Sequence, residues 1–273
     1  MAVIAISRQV AALGDEIAAA VAKKTGYVFI NRQTIEKRIV DLGFPAEKLK
    51  KYDERKPGFF ASLAKDRDEY LDYLQTAVLE AAANQDCILI GRGAFIILED
   101  LPNLVSLRFV AKDQIRRERL MKEFNWDEKQ AQQRIAESDT NRLGFHKSFF
   151  NLDSEDPEHF HLVMNTGLLD EESASKIIVE LCQQIITPEA EQQGKKKVNE
   201  LLEAQHLVNA LIFEHKLNIS FLKAVIDDDK VVLQGVADSS ALVEKAVAIS
   251  STIMPSRSVE SAISVVQDFK AYP

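Results

Sequence analysis

Residues 5–17 read AISRQVAALGDEI, and this stretch decides the fold class. The apolar run that ends at Ser7 is typical of a strand buried in a parallel sheet, where both faces of a strand are covered. A short turn follows, and Asp15 and Glu16 then open an amphipathic helix that closes with two lysines and a glycine. A strand, a tight turn and a helix in this order form the frame of a phosphate-binding loop.

The turn itself departs from a working phosphate-binding loop. Such a loop uses glycines to bring backbone N–H groups to the phosphates, a lysine for the β- and γ-phosphates, and a hydroxyl for Mg²⁺. Here Gly14 is the single glycine of the turn, and Asp15 and Glu16 stand where lysine and serine or threonine belong. Taken alone, the turn favours an ordinary strand–turn–helix, so its function must be decided from the rest of the chain.

The composition and the net charge of the chain disfavour several classes of protein. The chain has 273 residues, a formal net charge of −8 and a pI of about 5.3, which disfavours a nucleic acid as partner. Two cysteines, Cys87 and Cys182, lie in apolar runs and are expected to be buried, inert thiols. The first residues lack the pattern of a signal peptide and no run is long enough to span a membrane, so we expect a cytoplasmic protein.

The first two thirds of the chain alternate strands with helices, which predicts an α/β fold with a parallel sheet covered on both faces. After the strand at 2–7 and the helix that follows it, further strands are predicted at 27–30, 87–91, 104–110 and 160–166, and helices near 34–41, 61–84, 112–123, 127–141 and 170–186.

The composition and the pattern of predicted elements change after residue 186. Residues 187–197, TPEAEQQGKKK, combine proline, glycine and a lysine run, and we predict a linker. Residues 198–273 then read as a small α+β unit in the order αββαβ, with an acidic turn at 227–229. The predicted domains are therefore 1–186 and 198–273.

Candidate site residues follow the predicted strands, because open parallel sheets bind ligands at the carboxyl ends of their strands. Asn31 and Arg32 follow the second strand, and Gly91 and Arg92 follow the third. A helical stretch, RIAESDTNR, runs from Arg134 and places Asp139 and Arg142 one turn apart, where they could pair or face a common ligand. Further arginines crowd QIRRERL at Arg116, Arg117 and Arg119. Arginines that converge on one rim suit a ligand rich in phosphate.

These motifs carry a resemblance. Residues 1 to about 186 resemble the cytidylate kinase-like family, a branch of the P-loop nucleoside monophosphate kinases, through ISR and its following helix, FINRQTI, LIGRGAFIIL, DTNR and HLVMNT, all in the expected order. The resemblance implies a P-loop kinase fold that uses ATP and Mg²⁺ to phosphorylate a nucleotide such as CMP. The replaced lysine and hydroxyl put both ATP and Mg²⁺ in question.

The resemblance also implies roles for individual residues. The donor phosphates would be lined by Ser7, Arg8, Gly14, Asp15 and Glu16. Asn31 and Arg32 would begin the acceptor-binding segment, where relatives usually carry an aspartate. Arg92 would meet the acceptor phosphate, and Gly91 would contact nucleotide. Arg134 would contact nucleotide, and Asp139 and Arg142 would belong to a mobile lid that closes over both substrates.

The C-terminal unit resembles a BON domain in its αββαβ order and in the passage VVLQGVADSSALVEKAVAIS. That resemblance implies a binding surface for a protein or a membrane, although the acidic IDDDK weakens attraction to anionic lipid. An exposed strand edge leaves a homo-oligomer open. Three functions therefore remain: an active nucleotide kinase, an inactive nucleotide-binding sensor whose C-terminal unit binds a partner, and an interaction module that binds no nucleotide.

Overall fold

The computed structural model describes residues 2–49, 52 and 65–266. The chain divides into two compact units, Met1–Lys195 and Lys196–Pro273. The division falls inside the segment predicted as a linker. Parts of two predicted elements lie outside the described residues, namely 61–64 of the helix predicted at 61–84 and the last residues of the closing strand.

The first unit alternates strands with helices. Its strands are β1 (Val3–Arg8), β2 (Val28–Ile30), β3 (Cys87–Ile90), β4 (Leu104–Val110) and β5 (Leu162–Asn165). Its helices are α1 (Gly14–Thr25), α2 (Arg32–Asp41), α3 (Ala46–Leu49), α4 (Lys65–Asn84), α5 (Ala94–Ile97), α6 (Asp113–Phe124), α7 (Glu128–Phe150), a 3₁₀ turn (Pro157–His159) and α8 (Glu171–Ile185).

The five strands form one parallel sheet in the order β2-β3-β1-β4-β5. Because β1 lies at the centre, the residues that follow it have β3 on one side and β4 on the other. The described strands confirm the predicted α/β fold with a parallel sheet. The core packs α1 and α8 against β1, β3 and β4, through Ile4, Ile6, Ile17, Val21, Ile88, Ile90, Val105, Leu107, Ile178 and Cys182.

Both cysteines are free and buried, as their apolar surroundings predicted. Burial raises the pKa of the Cys87 thiol to about 12 and that of Cys182 to about 11. Neither thiol therefore ionises near neutral pH.

Two predicted helix boundaries are wrong. The helix predicted at 127–141 continues to Phe150, because Phe145 and Phe149 extend its apolar face and are buried. The helix predicted from residue 198 begins ten residues earlier, since α9 spans Pro188–Asn209. Pro188 can begin this helix because proline is favoured at the first helical position. Glycine is needed at position 194, inside α9, because a Cβ there would collide with the side chain of Asn103.

The second unit contains the end of α9, a π-helical turn (Ala210–Glu214), β6 (Ser220–Asp227), β7 (Lys230–Ala237), α10 (Ser240–Ile253) and β8 (Ser258–Val265). The strands form a mixed sheet in the order β6-β7-β8, antiparallel between β6 and β7 and parallel between β7 and β8. This is the predicted αββαβ order with its own core. Within the described residues, none of the helices has the length and apolar character needed to cross a membrane.

Candidate functional site

The loop between β1 and α1 keeps a turn of the kind that glycine usually provides. Ala11 and Leu13 have φ angles of 59° and 55°, in the left-handed region that non-glycine residues rarely adopt. Gly14 follows, and a Cβ there would lie 2.7 Å from Cγ of Arg8, so a larger residue could fit only if Arg8 moved. The turn therefore has left-handed backbone at two positions where alanine and leucine stand in place of glycine.

Two arginines of α6 hold this loop by its carbonyl groups. Arg116 Nε donates to the carbonyl of Val10 at 2.9 Å, and Arg119 Nη1 donates to that of Ala11 at 2.9 Å. Arg119 also donates through Nη2 to the carbonyl of Thr166 at 2.6 Å, which ties the loop to the end of β5. In a trans peptide the N–H points away from the C=O, so both contacts turn the N–H groups of Ala11 and Ala12 away from α6. The Ala12 N–H donates to the carbonyl of Gln9 at 3.3 Å, inside the turn.

Arg116 also fixes the neighbouring helix α7. Its guanidinium is fully buried and makes two hydrogen bonds to Asp139, at 2.9 Å and 2.7 Å, with a third contact to Asp113 at 3.1 Å. The sequence left open a pairing of Asp139 with Arg142, and the structure corrects this. Asp139 pairs with Arg116 instead, whereas Arg142 Nη1 donates to Ser138 Oγ at 2.7 Å, one turn earlier on the same helix.

A small cavity lies at the carboxyl end of β1, between β4 and α7. Its lining comes from the β1 end, from β4, from α7 and from the loop that follows α7: Ser7, Arg8, Gln9, Arg108, Asp139, Arg142, Leu143, His146, Ser154 and Glu155. The cavity measures about 20 Å³, which is room for about one or two water molecules. A whole nucleotide does not fit into a cavity of this size.

Arg108 is the most deeply buried arginine of this cavity. It lies beside Ser7 in the register of the parallel strands, and its Nη1 donates to Ser7 Oγ at 3.2 Å. Its Nη2 contacts Glu155 Oε1 at 3.3 Å, and its guanidinium lies 5.9 Å from the ring centroid of Phe160. Burial lowers the pKa of Arg108, and the charge of Glu155 opposes that effect.

His146 lines the same cavity from α7. Its Nδ1 donates to the carbonyl of Arg142 at 2.8 Å, which fixes the ring one turn after Arg142. The ring is buried and packs beside Phe145 and Phe150.

A second cluster surrounds Arg92, just after β3. Arg92 is 1% exposed and has a φ angle of 58°. Its Nη2 pairs with Glu36, and its Nη1 donates to the carbonyl of Tyr52 at 3.1 Å and to the hydroxyl of Tyr70 at 3.3 Å. Glu36 also accepts from Arg32 Nε at 2.6 Å. One glutamate carboxylate therefore joins the two arginines that the resemblance assigns to the acceptor nucleotide.

The side chain of Asn31 makes its hydrogen bonds within the first turn of α2. It is the N-cap of α2, and its Oδ1 accepts from the backbone N–H of Thr34 at 3.1 Å and from the Thr34 hydroxyl at 3.2 Å. This arrangement accounts for an amide at that position without any ligand.

The predicted site residues fall into three groups. Ser7, Arg8, Asp139 and Arg142 meet at the cavity. Asn31, Arg32, Gly91 and Arg92 lie at the carboxyl ends of β2 and β3 or at the start of α2. Gly14 supports the loop, while Asp15, Glu16 and Arg134 are exposed on helices. Glu16 lies close enough to Arg119 to act on its pKa, which burial lowers.

Several cavity residues were not singled out from the sequence. Arg108 carries a signal that could have found it, because it is a charged residue inside the otherwise apolar run of β4. His146, Ser154 and Glu155 carry none, since nothing in their local sequence distinguishes them from ordinary surface residues. Gln9 lies inside the stretch from Ser7 to Glu16 that the resemblance places at the donor phosphates.

The donor set of the cavity suits phosphate better than metal. Three arginines and two serine hydroxyls line it, and guanidinium groups bind phosphate oxygens as paired donors. Among the described residues, no group of three or more histidine, cysteine, aspartate or glutamate side chains could hold a metal ion. The arginines and hydroxyls therefore suit phosphate oxygens, and two carboxylates, Asp139 and Glu155, line the same cavity.

Comparison with known proteins gives a family and a fold. Residues 3–168 match the model of the cytidylate kinase-like family. Comparison with curated proteins gives no match. Among solved structures, the chain is similar to an uncharacterized protein from Eubacterium ventriosum, at 20% identity and a TM-score of 0.52 over 67% of this chain and 99% of that one.

Two solved kinase structures are less similar to this chain. Shikimate kinase from Bacteroides thetaiotaomicron is 15% identical, with a TM-score of 0.42 over 67% of this chain and 98% of that one. A gluconokinase from Sinorhizobium meliloti is 16% identical, with a TM-score of 0.41 over 67% and 93% of the two chains. At such identities a likeness concerns the fold alone.

Proposed function

We propose that this chain, which belongs to the cytidylate kinase-like family, transfers a phosphoryl group from ATP to a nucleoside monophosphate, with CMP as the first acceptor to test. The observation that carries the proposal is the cavity at the end of β1, where loop residues and Arg142 of α7 meet. A kinase of this fold needs positive charge between its two nucleotides, and the cavity supplies it.

Each part of the cavity has a task in this proposal. ATP supplies the phosphoryl group that is transferred. Arg8 and Arg142 bind phosphate oxygens, while Arg116 and Arg119 hold the neighbouring loop by its carbonyl groups. Asp139 acts through Arg116 by fixing α7 against the loop. Closure of α7 over the ligands excludes water, which would otherwise compete as the acceptor.

The acceptor is proposed to lie near Arg92 and Arg32. Both guanidinium groups meet the carboxylate of Glu36, which therefore occupies the place where an acceptor phosphate would be bound. Binding of the acceptor requires that Glu36 turn away. Asn31 would contribute from the start of α2 only if it gave up its capping contact with Thr34.

A specific observation favours a second candidate, a nucleotide-binding sensor without turnover. Asp15 and Glu16 stand where the lysine and hydroxyl of active relatives are expected. A carboxylate about 4 Å from one phosphate charge costs about 4 kcal/mol at an effective dielectric constant of 20. Without the lysine, transfer would be slow while binding persists. The BON-like C-terminal unit would then bind a protein partner or a membrane surface.

Radiolabelled phosphoryl transfer tests the two candidates together. We would incubate the chain with ATP, Mg²⁺ and CMP, then with other nucleoside monophosphates, and compare it with Arg142→Ala. The same proteins would be titrated calorimetrically with CMP and with ATP–Mg²⁺. Transfer that Arg142→Ala abolishes supports the kinase, and saturable binding without transfer supports the sensor. Binding of neither nucleotide would refute both and leave the interaction module.

A further inference from the structure

Arg108 occupies an unusual place for a charged side chain. It belongs to β4, whose neighbours Leu107 and Phe109 are fully buried, and its own side chain is 8% exposed. Burying a guanidinium is costly unless close partners compensate for the lost water. The environment of Arg108 therefore needs an explanation in terms of what it binds.

The partners of Arg108 within the chain are weak. The contact with Glu155 is 3.3 Å long, and the Glu155 side chain is 51% exposed, so water screens the pair. The contact with Ser7 is a 3.2 Å hydrogen bond to a neutral hydroxyl. The Phe160 ring lies 5.9 Å away, and the charges of Asp139 and Asp153 also act on Arg108. None of these contacts equals the two short bonds between Arg116 and Asp139. An anion in the cavity would be a stronger partner for Arg108 than any of them.

Arg108 lies near the loop that lacks the lysine of a phosphate-binding loop. Ser7 and Arg108 are register partners, so the guanidinium reaches the end of β1 from the neighbouring strand. The loop has no lysine, and its Asp15 is exposed on α1. We infer that Arg108, from β4, adds to Arg8 and Arg142 a third positive charge in place of the missing loop lysine, and that it binds the phosphate oxygens of a polyphosphate ligand while Glu155 holds it in the ligand-free state.

This inference rests on the proposed function for the identity of the ligand as a nucleotide, but its physical content concerns the anion alone. Two consequences follow. Removing the Arg108 charge must weaken the binding of a bare polyphosphate. Removing the Glu155 charge must strengthen it, because the anion would no longer compete with a carboxylate for the guanidinium.

Calorimetric titration of the full chain with sodium tripolyphosphate tests both consequences. Arg108→Gln should weaken binding at least about tenfold, as expected for the loss of a charge-assisted hydrogen bond. Glu155→Gln should strengthen binding about threefold or more. Two matched controls should leave affinity unchanged: Arg38→Gln, which removes an exposed arginine paired with Glu80, and Glu158→Gln, an exposed acid three residues from Glu155.

The two variants make the inference falsifiable even if Arg108→Gln does not fold. Unchanged or weaker binding in Glu155→Gln would overturn it, as would unchanged binding in a folded Arg108→Gln, or no binding of tripolyphosphate by the unaltered chain. The transfer assay is a separate measurement. Loss of tripolyphosphate affinity in Arg108→Gln without any transfer activity in the unaltered chain would refute the kinase and support Arg108 as the phosphate-binding residue.

Discussion

At the scale of single residues, Arg116 links more of the site than any other side chain described above. It bonds to the carbonyl of Val10 in the loop and to both oxygens of Asp139 on α7. Because its guanidinium is fully buried, removing it leaves the Asp139 charge and the Val10 carbonyl without their main partner. Arg117, the next residue, instead pairs with Glu128 on the surface.

Arg116→Met should lower the free energy of unfolding by about 2–4 kcal/mol, because a partly buried carboxylate loses its ion pair. Arg117→Met should cost about 1 kcal/mol or less, as exposed pairs do. Urea denaturation followed by circular dichroism measures both values. Equal losses in the two variants would show that the Arg116–Asp139 pair does not hold the loop and α7 together.

Glu36→Gln should strengthen the binding of CMP, if Arg92 and Arg32 bind its phosphate. The carboxylate now neutralises both arginines, and glutamine keeps the shape without the charge. We expect affinity to rise about three- to tenfold in calorimetry. Glu80→Gln, which releases the surface Arg38, is the matched control and should leave affinity unchanged. Weaker or unchanged binding in Glu36→Gln would argue against an acceptor site at Arg92.

The buried thiols give a prediction that depends on pH. The pKa of Cys87 is raised to about 12 and that of Cys182 to about 11, so both thiols are neutral in the folded chain at pH 8. A pKa above that of the unfolded chain stabilises the fold below about pH 8.5, and this contribution is lost as pH rises towards the folded values.

A thiol reagent such as DTNB should therefore leave both cysteines unmodified at pH 8 and modify both in 8 M urea. Rapid modification without denaturant would show that one of these thiols is accessible in the folded chain.

At the scale of elements, the turn between β1 and α1 has left-handed backbone at residues that are not glycine. The left-handed backbone at Ala11 and Leu13 costs about 1 kcal/mol or more at each position. Hydrogen bonds from Arg116 and Arg119 to the loop carbonyls offset that strain. The turn is therefore held in part by α6, an element far from it in sequence.

Adjacent alanines in this loop should respond to glycine in opposite ways. Ala11→Gly should raise the free energy of unfolding by up to about 1 kcal/mol, because glycine adopts a positive φ without a Cβ clash. Ala12→Gly should lower it by about 1 kcal/mol, since Ala12 is fully buried and its methyl group would be lost. Thermal or urea unfolding compares the two. Destabilisation by Ala11→Gly equal to that of Ala12→Gly would contradict the left-handed turn.

At the scale of the whole molecule, the strand order brings the site together. Placing β1 between β3 and β4 puts Ser7 beside Arg108, although the two residues lie 101 positions apart in sequence. The same order puts Gly91 after a strand that pairs with β1, and its N–H donates to the carbonyl of Ile6 at 2.9 Å. The described residues that line this cavity all belong to the first unit, and the second unit has a core of its own.

The sequence alone determined the alternation of strands and helices, the strand–turn–helix at residues 5–17, the buried thiols and the αββαβ order of the second unit. These features depend on the periodicity of apolar residues and on turn residues, both of which can be read from residues close together in sequence. The tertiary structure alone decided that Asp139 pairs with Arg116, that Arg92 meets Glu36, and that Arg108 reaches the end of β1. Contacts between side chains so far apart in sequence depend on strand order and helix packing, and no local pattern records which of several arginines will meet a given carboxylate.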